Sequence, residues 1–189
     1  MFHHTYRPRE RGIRKAQDPM DIRYVSSDQD QQTNLILATV AERAAAEGIQ
    51  LAGTVQPVMG DAPQQKCEIV LRLLPDGPIR NISMDLGPGA TGCRLDAGAL
   101  EQAVLEVQAR MAGAEGLVVN KFGKQEAAGR GLVDIISQAC AAGLPVLVGV
   151  SPEWRAAFLA FASGTAEPLP ADADRVMDWL RAACRAQAA

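Results

Sequence analysis

The chain has 189 residues, of which 48% are hydrophobic and 22% charged, and its formal net charge is −3. This length and composition predict a globular domain with a substantial core. No apolar run reaches the roughly 18 residues that a membrane-spanning helix needs. The charged first residues also lack the apolar segment of a secretory signal peptide. We therefore expect a cytoplasmic protein.

The charge is distributed unevenly along the chain. Residues 1–19 carry five Lys or Arg and two acids, whereas the remainder is acidic overall. We expect 1–19 to form a basic flexible arm that is dispensable for folding, or to precede a natural start at Met20. Residues 20–189 are expected to form a single α/β domain. Its lack of a long basic stripe and of an aromatic platform argues against nucleic-acid binding.

The cysteines and histidines exclude several kinds of site. No two of the cysteines form a C-x-x-C pair, and the two histidines, His3 and His4, lie in the arm. The folded body therefore lacks the usual general base and the usual ligands of transition metals. We expect no metal site, and neither Ser-His nor Cys-His catalysis.

Strands and helices alternate along the chain. The apolar pattern predicts strands over 21–26, 49–55, 116–120 and 145–150, and a hairpin formed by 67–74 and 79–86 around the turn "PDGP". Helical spacing predicts helices over 29–47, 97–112, 126–142, from Ser151-Pro152 onward, and 172–186. Continuous apolar strands that alternate with helices indicate a three-layer α/β fold with a mostly parallel sheet and an antiparallel hairpin.

Sheets of this kind bind their ligands outside the carboxyl ends of the strands. In this chain the loops at those ends follow Ser26, Met84, Asn120 and Val150. The first of these loops reads "SSDQDQQTN" (26–34) and has neither the glycines nor the lysine of a phosphate-binding P-loop. Asp28 and Asp30 would repel a phosphate. We interpret the loop as an N-cap cluster that starts a helix. Alternatively, Ser26, Ser27 and Thr33 could donate hydrogen bonds to an oxyanion.

The second loop, "DLGPGATGCRLD" (85–96), is rich in glycine. Glycines allow consecutive backbone N–H groups to point at one place, and a hydroxyl and a guanidinium would complete an anion site. The residues that we assign to this site are Gly87, Gly89, Thr91, Gly92 and Arg94. Alternatively, the loop merely connects the hairpin to a helix that Asp96 caps.

The third loop, "NKFGKQEAAGRG" (120–131), concentrates positive charge after a buried strand. Repulsion between clustered cations is relieved when an anion lies among them, and the start of the next helix adds partial positive charge. We assign ligand binding to Asn120, Lys121, Lys124 and Arg130. Residues 87–94 and 120–130 are then expected to form two walls of one site. Alternatively, Glu126 and Asp85 neutralise the cations in a structural network.

Four stretches resemble a bacterial family, domain of unknown function 2478: "LAGTVQP", "DLGPGATGCRLD", "LVVNKFGKQEAAGRGL" and "PVLVGV". The resemblance extends from Asp21 to Leu180, and the later "W…FASG…LP…W" pattern fits it as well. Members of the family tend to be encoded near molybdate-transport genes. The family is in turn similar to P-loop nucleoside triphosphatases, which implies a degenerate version of that fold.

The resemblance also implies a loss of hydrolysis. Asn120 and Lys121 stand where the relatives have a Walker B carboxylate, and the first loop lacks the Walker A residues. We therefore expect a non-hydrolytic protein that binds an oxyanion (molybdate, phosphate or sulfate) or the phosphates of a nucleotide or pterin. It would serve molybdenum metabolism, as a homo-oligomer or with a protein of that pathway. The alternatives are a nucleoside triphosphatase or phosphoryl transferase, with Asp85, Lys121 and Glu126 as acid/base candidates, and an interaction protein without a small-molecule site.

Overall fold

The computed structural model describes residues 20–29, 31–57, 69–84 and 94–188. The expected arm (1–19), Asp30, Asp85 and the glycine-rich segment from Gly87 to Gly92 lie outside the described residues. What was expected of them stays a prediction. Among the described residues, no helix combines the length and the apolar character that crossing a membrane requires.

The described strands form one seven-stranded sheet in the order β4-β3-β2-β5-β6-β1-β7. Their bounds are β1 Ile22–Val25, β2 Leu51–Val55, β3 Val70–Leu74, β4 Ile79–Asn81, β5 Gly116–Phe122, β6 Val146–Val150 and β7 Glu167–Pro168. Strand β3 runs antiparallel to β2 and β4, and the other pairs are parallel. The predicted parallel sheet with an antiparallel hairpin is thus confirmed.

Helices cover both faces of this sheet. They are α1 Gln32–Ala46, α2 Ala97–Arg110, α3 Lys124–Ala127, α4 Val133–Ala141, α5 Arg155–Phe161, which follows a 3-10 turn at Pro152–Trp154, and α6 Ala173–Ala188. Leu37 of α1 and Met177 of α6 pack in a core on one face with Val118 and Leu147. Leu100 of α2, Ile135 of α4 and Phe158 of α5 pack on the other face with Val119 and Val148. The strands β5 and β6 are apolar on both sides because both sides are buried.

Two expectations about local structure were wrong, and one strand was not anticipated. The helix expected over 126–142 is broken into α3 and α4, because Gly129 and Gly131 adopt positive φ angles of 73° and 63°. The expected N-cap cluster is not found among the described residues of the first loop, because the N-cap residue of α1, Gln31, makes no side-chain capping bond. The short strand β7 was not anticipated, although it pairs with β1 through Arg23 and Tyr24.

Candidate anion-binding site

An open cleft of about 270 Å³ lies at the carboxyl ends of β5, β6 and β1, which are neighbours in the sheet. Three chain segments line it: the loop after β1 with the first turn of α1, the end of β5, and the residues after β6. The lining residues are Ser27, Asp28, Gln29, Gln31, Thr33, Asn34, Lys121, Val150, Ser151 and Pro152. We call this the α1 cleft. Three of the four loops expected to carry a site therefore meet here.

The start of α1 provides polar groups to this cleft. The helix is 15 residues long, its first turn contains no acidic residue, and its N-cap residue makes no capping bond through its side chain. Thr33 and Asn34, which belong to this first turn, line the cleft. Helix starts carry free N–H groups and partial positive charge, so such an uncapped start favours an anion.

Hydrogen bonds between polar side chains hold the loop before α1. Ser27 Oγ donates to Gln32 Oε1 and accepts from the N–H of Gln29 at 3.1 Å. Asn34 Nδ2 lies 2.6 Å from Gln31 Oε1 and 2.8 Å from Gln56 Oε1, which ties the helix start to the end of β2. The loop is thus fixed by amides and hydroxyls in place of glycine and lysine.

Lys121 brings positive charge to the α1 cleft from the end of β5. Its side chain is exposed, and none of the ion pairs among the described residues includes it. Asp28 lines the same cleft with a negative charge. An incoming anion would therefore be attracted by the lysine and by the helix start, and repelled by Asp28.

The side chain of Asn120 is buried beside this cleft without a hydrogen-bond partner. Asn120 is 4% exposed, and neither Oδ1 nor Nδ2 is bonded within the part of the chain that the structure describes. Its backbone, by contrast, pairs with the Thr54 hydroxyl, which donates to the Asn120 carbonyl at 3.3 Å and accepts from its N–H at 3.4 Å. Buried amides are nearly always bonded, so this side chain is unusual among the described residues.

Gly149 explains how Asn120 and α1 come so close. A Cβ atom on Gly149 would lie 2.7 Å from Leu37 Cδ1, 3.1 Å from Thr33 Cγ2 and 3.7 Å from Asn120 Oδ1. Any other residue at this position of β6 would push the first turns of α1 away from the sheet. The missing side chain therefore places the amide of Asn120 next to Thr33 of the α1 cleft.

A second cleft, of about 470 Å³, lies between the start of α2 and the break between α3 and α4. Arg130 lines it together with Glu101 and Asp134, and its Nε donates to Gln125 Oε1 at 2.9 Å. The full lining is Ala97, Gly98, Glu101, Gln125, Gly129, Arg130, Gly131 and Asp134. Lys121 and Arg130, which were expected to share one site, thus line two clefts.

Glu126 lies inside the segment that joins these two clefts. It is 6% exposed, and its carboxylate accepts from the N–H of Gly123 at 3.1 Å and of Leu132 at 3.3 Å. Burial raises the pKa of Glu126, while these backbone N–H groups act in the opposite direction. Both oxygens of Glu126 thus hold the turn together, and none of the ion pairs among the described residues joins Glu126 to a lysine.

The family of the chain can be assigned from the match to a family model. The model described as "Protein of unknown function (DUF2478)" matches residues 22–179. The chain belongs to this family. The predicted membership is therefore confirmed over most of the domain.

A relative and a solved structure extend this assignment. Molybdenum import ATP-binding protein ModC 2 of Bradyrhizobium diazoefficiens is 35% identical to this DUF2478 protein over 149 residues, which are 77% of this chain but 16% of that relative. The chain thus spans only a small part of the relative. The solution structure of a human cancer-related nucleoside triphosphatase aligns at 12% identity with a TM-score of 0.56, covering 87% of this chain and 96% of the other. This likeness confirms a P-loop-NTPase-like α/β fold.

Arg94 and Lys124, two further residues predicted to bind the ligand, are exposed and do not line the α1 cleft of the DUF2478 chain. Arg94 accepts a bond from the N–H of Met84 through its carbonyl at 2.7 Å, and Lys124 is the first residue of α3. No group of three potential metal ligands comes together within the described ranges.

Sequence reasoning missed Ser151, Asn34 and the two glutamines of the α1 cleft, and also Arg155, whose Nη2 donates to Ser26 Oγ at 3.1 Å. The available signal was the serines that directly follow two parallel strands, Ser26 and Ser27 after β1 and Ser151 after β6.

Proposed function

We propose that the protein binds the phosphate portion of a nucleotide, or a free tetrahedral oxyanion, in the α1 cleft and does not hydrolyse it. The observation that carries this proposal is that Lys121 and the uncapped start of α1 line one cleft at the carboxyl ends of three adjacent parallel strands. Sheets of this kind bind ligands at that edge, and helix starts bind phosphates. The fold shared with a nucleoside triphosphatase supports the proposal.

The size of the cleft restricts the part of the ligand that it can enclose. Sites for drug-sized ligands measure about 300–1,000 Å³, whereas the α1 cleft has about 270 Å³. It therefore suits a phosphate group or another small oxyanion. The base and sugar of a nucleotide would extend beyond it.

The side chains around the cleft support binding without hydrolysis. Asn120 is an amide at the end of β5, where the resemblance implies a carboxylate that manages magnesium and water. An amide cannot accept a proton as a general base. Glu126, one of the acid/base candidates, is bonded to the backbone. Lys121 supplies positive charge that a bound magnesium ion would otherwise bring.

The relative's name supports a place in molybdenum handling. That relative is named as an ATP-binding protein of molybdenum import, and the 35% identity concerns only a small part of it. We propose that this chain is an accessory protein of molybdenum metabolism. Molybdate is then one candidate oxyanion, beside phosphate, sulfate and the phosphates of a nucleotide.

A binding experiment with two matched variants tests the proposal. Wild-type protein, Lys121→Ala and Lys124→Ala are titrated with ATP, ADP, molybdate, sulfate and phosphate by calorimetry. A charge-assisted hydrogen bond contributes about 1.5–3 kcal/mol, so Lys121→Ala should bind the preferred anion roughly 10- to 100-fold more weakly. Lys124→Ala removes another exposed lysine, one outside the lining of the cleft, and should change little. Equal binding by all three proteins would contradict the site, and absence of binding would favour an interaction protein.

One observation keeps hydrolysis as a second candidate function. The carboxylate of Asp28 lines the cleft and could orient a water molecule against a bound phosphate. Release of phosphate from ATP or GTP with magnesium, lost in both Lys121→Ala and Asp28→Asn, would establish this activity. The proposal of non-hydrolytic binding requires that wild-type protein releases no phosphate above the level of these variants.

A further inference from the structure

Arg155 has an unusual environment for an arginine of this protein. It is exposed, and its Nη2 donates to the neutral hydroxyl of Ser26 at 3.1 Å. Arg43, Arg80 and Arg181 instead hold carboxylates in ion pairs. No ion pair within the described residues includes Arg155. Its charge is therefore not matched by a described acid.

The bond between Arg155 and Ser26 joins two segments that line the α1 cleft. Ser26 directly precedes Ser27, and Arg155 begins α5 just after Ser151 and Pro152. Arg155 thus reaches from the segment after β6 to the segment after β1. Lys121 enters the cleft from β5, and β6 lies between β5 and β1 in the sheet. The two cations therefore approach from different strands.

We infer that Arg155 is the second cation of this site and selects ligands with two or more linked phosphate groups over single tetrahedral oxyanions. This inference rests on the proposed function. Cations that enter from β5 and from the segment after β6 match a ligand with two anionic groups. A single oxyanion bound to Lys121 leaves the Arg155 guanidinium bonded to the Ser26 hydroxyl.

A bound phosphate can replace the Ser26 hydroxyl as the hydrogen-bond partner of Arg155. A phosphate offers the planar guanidinium two parallel bonds between opposite charges, whereas the Ser26 hydroxyl offers a single neutral acceptor. A phosphate near Ser26 therefore competes well with its hydroxyl. Asp28 offsets one of the two positive charges, so the site needs both cations to hold a polyanion.

A comparison of pyrophosphate with orthophosphate distinguishes selection of linked phosphate groups by Arg155 from a general attraction of anions. Both are titrated by calorimetry into wild-type protein and the variants Arg155→Ala, Arg155→Lys and Arg175→Ala. Arg155→Ala should weaken pyrophosphate binding about tenfold or more and orthophosphate binding less than about threefold. Arg155→Lys should lie between wild type and alanine, because a lysine keeps the charge and loses the paired donors. Arg175→Ala, an exposed arginine on α6, should match wild type.

Each outcome decides a distinct question. Equal losses for both anions, or no loss for either, would overturn the inference about Arg155. If Lys121→Ala weakens binding and Arg155→Ala does not, the site stands and only the second cation is wrong. If wild-type protein binds neither anion at millimolar concentration, the inference about Arg155 is overturned, and the proposed function is overturned as well only if the titrations with ATP, ADP, molybdate and sulfate also show no binding. Circular dichroism of each variant verifies the fold.

Discussion

A Cβ atom on Gly131 would lie 2.3 Å from Oε1 of Glu126, so the buried carboxylate fills the space that any other residue would need at position 131. The same carboxylate bonds the N–H groups of Gly123 and Leu132, at the two ends of the turn. These contacts of Glu126 lie in the turn between the end of α3 at Ala127 and the start of α4 at Val133. It shapes the segment that runs from Lys121 in the α1 cleft to Arg130 in the second cleft.

Gly131→Ala should therefore destabilise the protein strongly. The positive φ of 63° costs an alanine about 1–2 kcal/mol, and the clash with Glu126 adds about 1–3 kcal/mol. Gly129→Ala is the matched control, because its φ is 73° and nothing lies within 4 Å of its Cβ position. Urea unfolding should show a clearly larger loss for Gly131→Ala. Equal losses would mean that Glu126 moves aside freely.

Replacing Glu126 with glutamine should change how stability depends on pH. Burial raises the pKa of Glu126 above its ordinary 4.5, so its contribution to stability is full below that pH and is lost as the pH rises through the raised value. Glutamine cannot ionise. The unfolding free energy of Glu126→Gln, measured relative to wild type, should therefore improve between pH 4.5 and 7. A relative loss over this range would indicate that the backbone N–H groups outweigh burial.

Asn120→Leu should separate stability from binding. Leucine has the same branching as asparagine and removes two buried polar atoms without a described partner, which should offset the cost of fitting its larger methyl groups, so the stability of the ligand-free protein should change by no more than about 1 kcal/mol. Thr54→Val is the control, because the Thr54 hydroxyl is bonded and its loss should cost about 1 kcal/mol. Anion binding by Asn120→Leu should weaken, since Asn120 was predicted to bind the ligand and its amide lies next to Thr33 of the α1 cleft. Strong destabilisation by Asn120→Leu would show that the amide has a structural partner.

The regular part of the fold could be predicted from the sequence because it depends on local periodicity. The continuous apolar runs of β5 and β6 and the helical spacing of α1 and α2 predicted those elements within a few residues. The break after Ala127 could not be predicted in this way. It depends on a buried carboxylate that contacts glycine five residues later, and glutamate at that place is equally compatible with a continuous helix.

The candidate site could be predicted only in part. Lys121 follows a buried strand directly, so its position at the carboxyl edge was predictable. The separation of Arg130 from it depends on the turn at Gly123–Gly131, which the sequence pattern does not specify. Ser151 and Arg155 join the site because β6 lies between β5 and β1 in the sheet, and strand order is not a local property of the chain.

The most direct test of the central claim is a map of where ATP binds. Backbone amide chemical shifts in ¹H–¹⁵N NMR spectra are followed while ATP is added to the wild-type protein. The account predicts that the largest changes occur at Thr33, Asn34 and Ser151, which line the α1 cleft. Changes concentrated instead at Gly98, Gly129 and Gly131 would place the ligand in the second cleft and contradict the account.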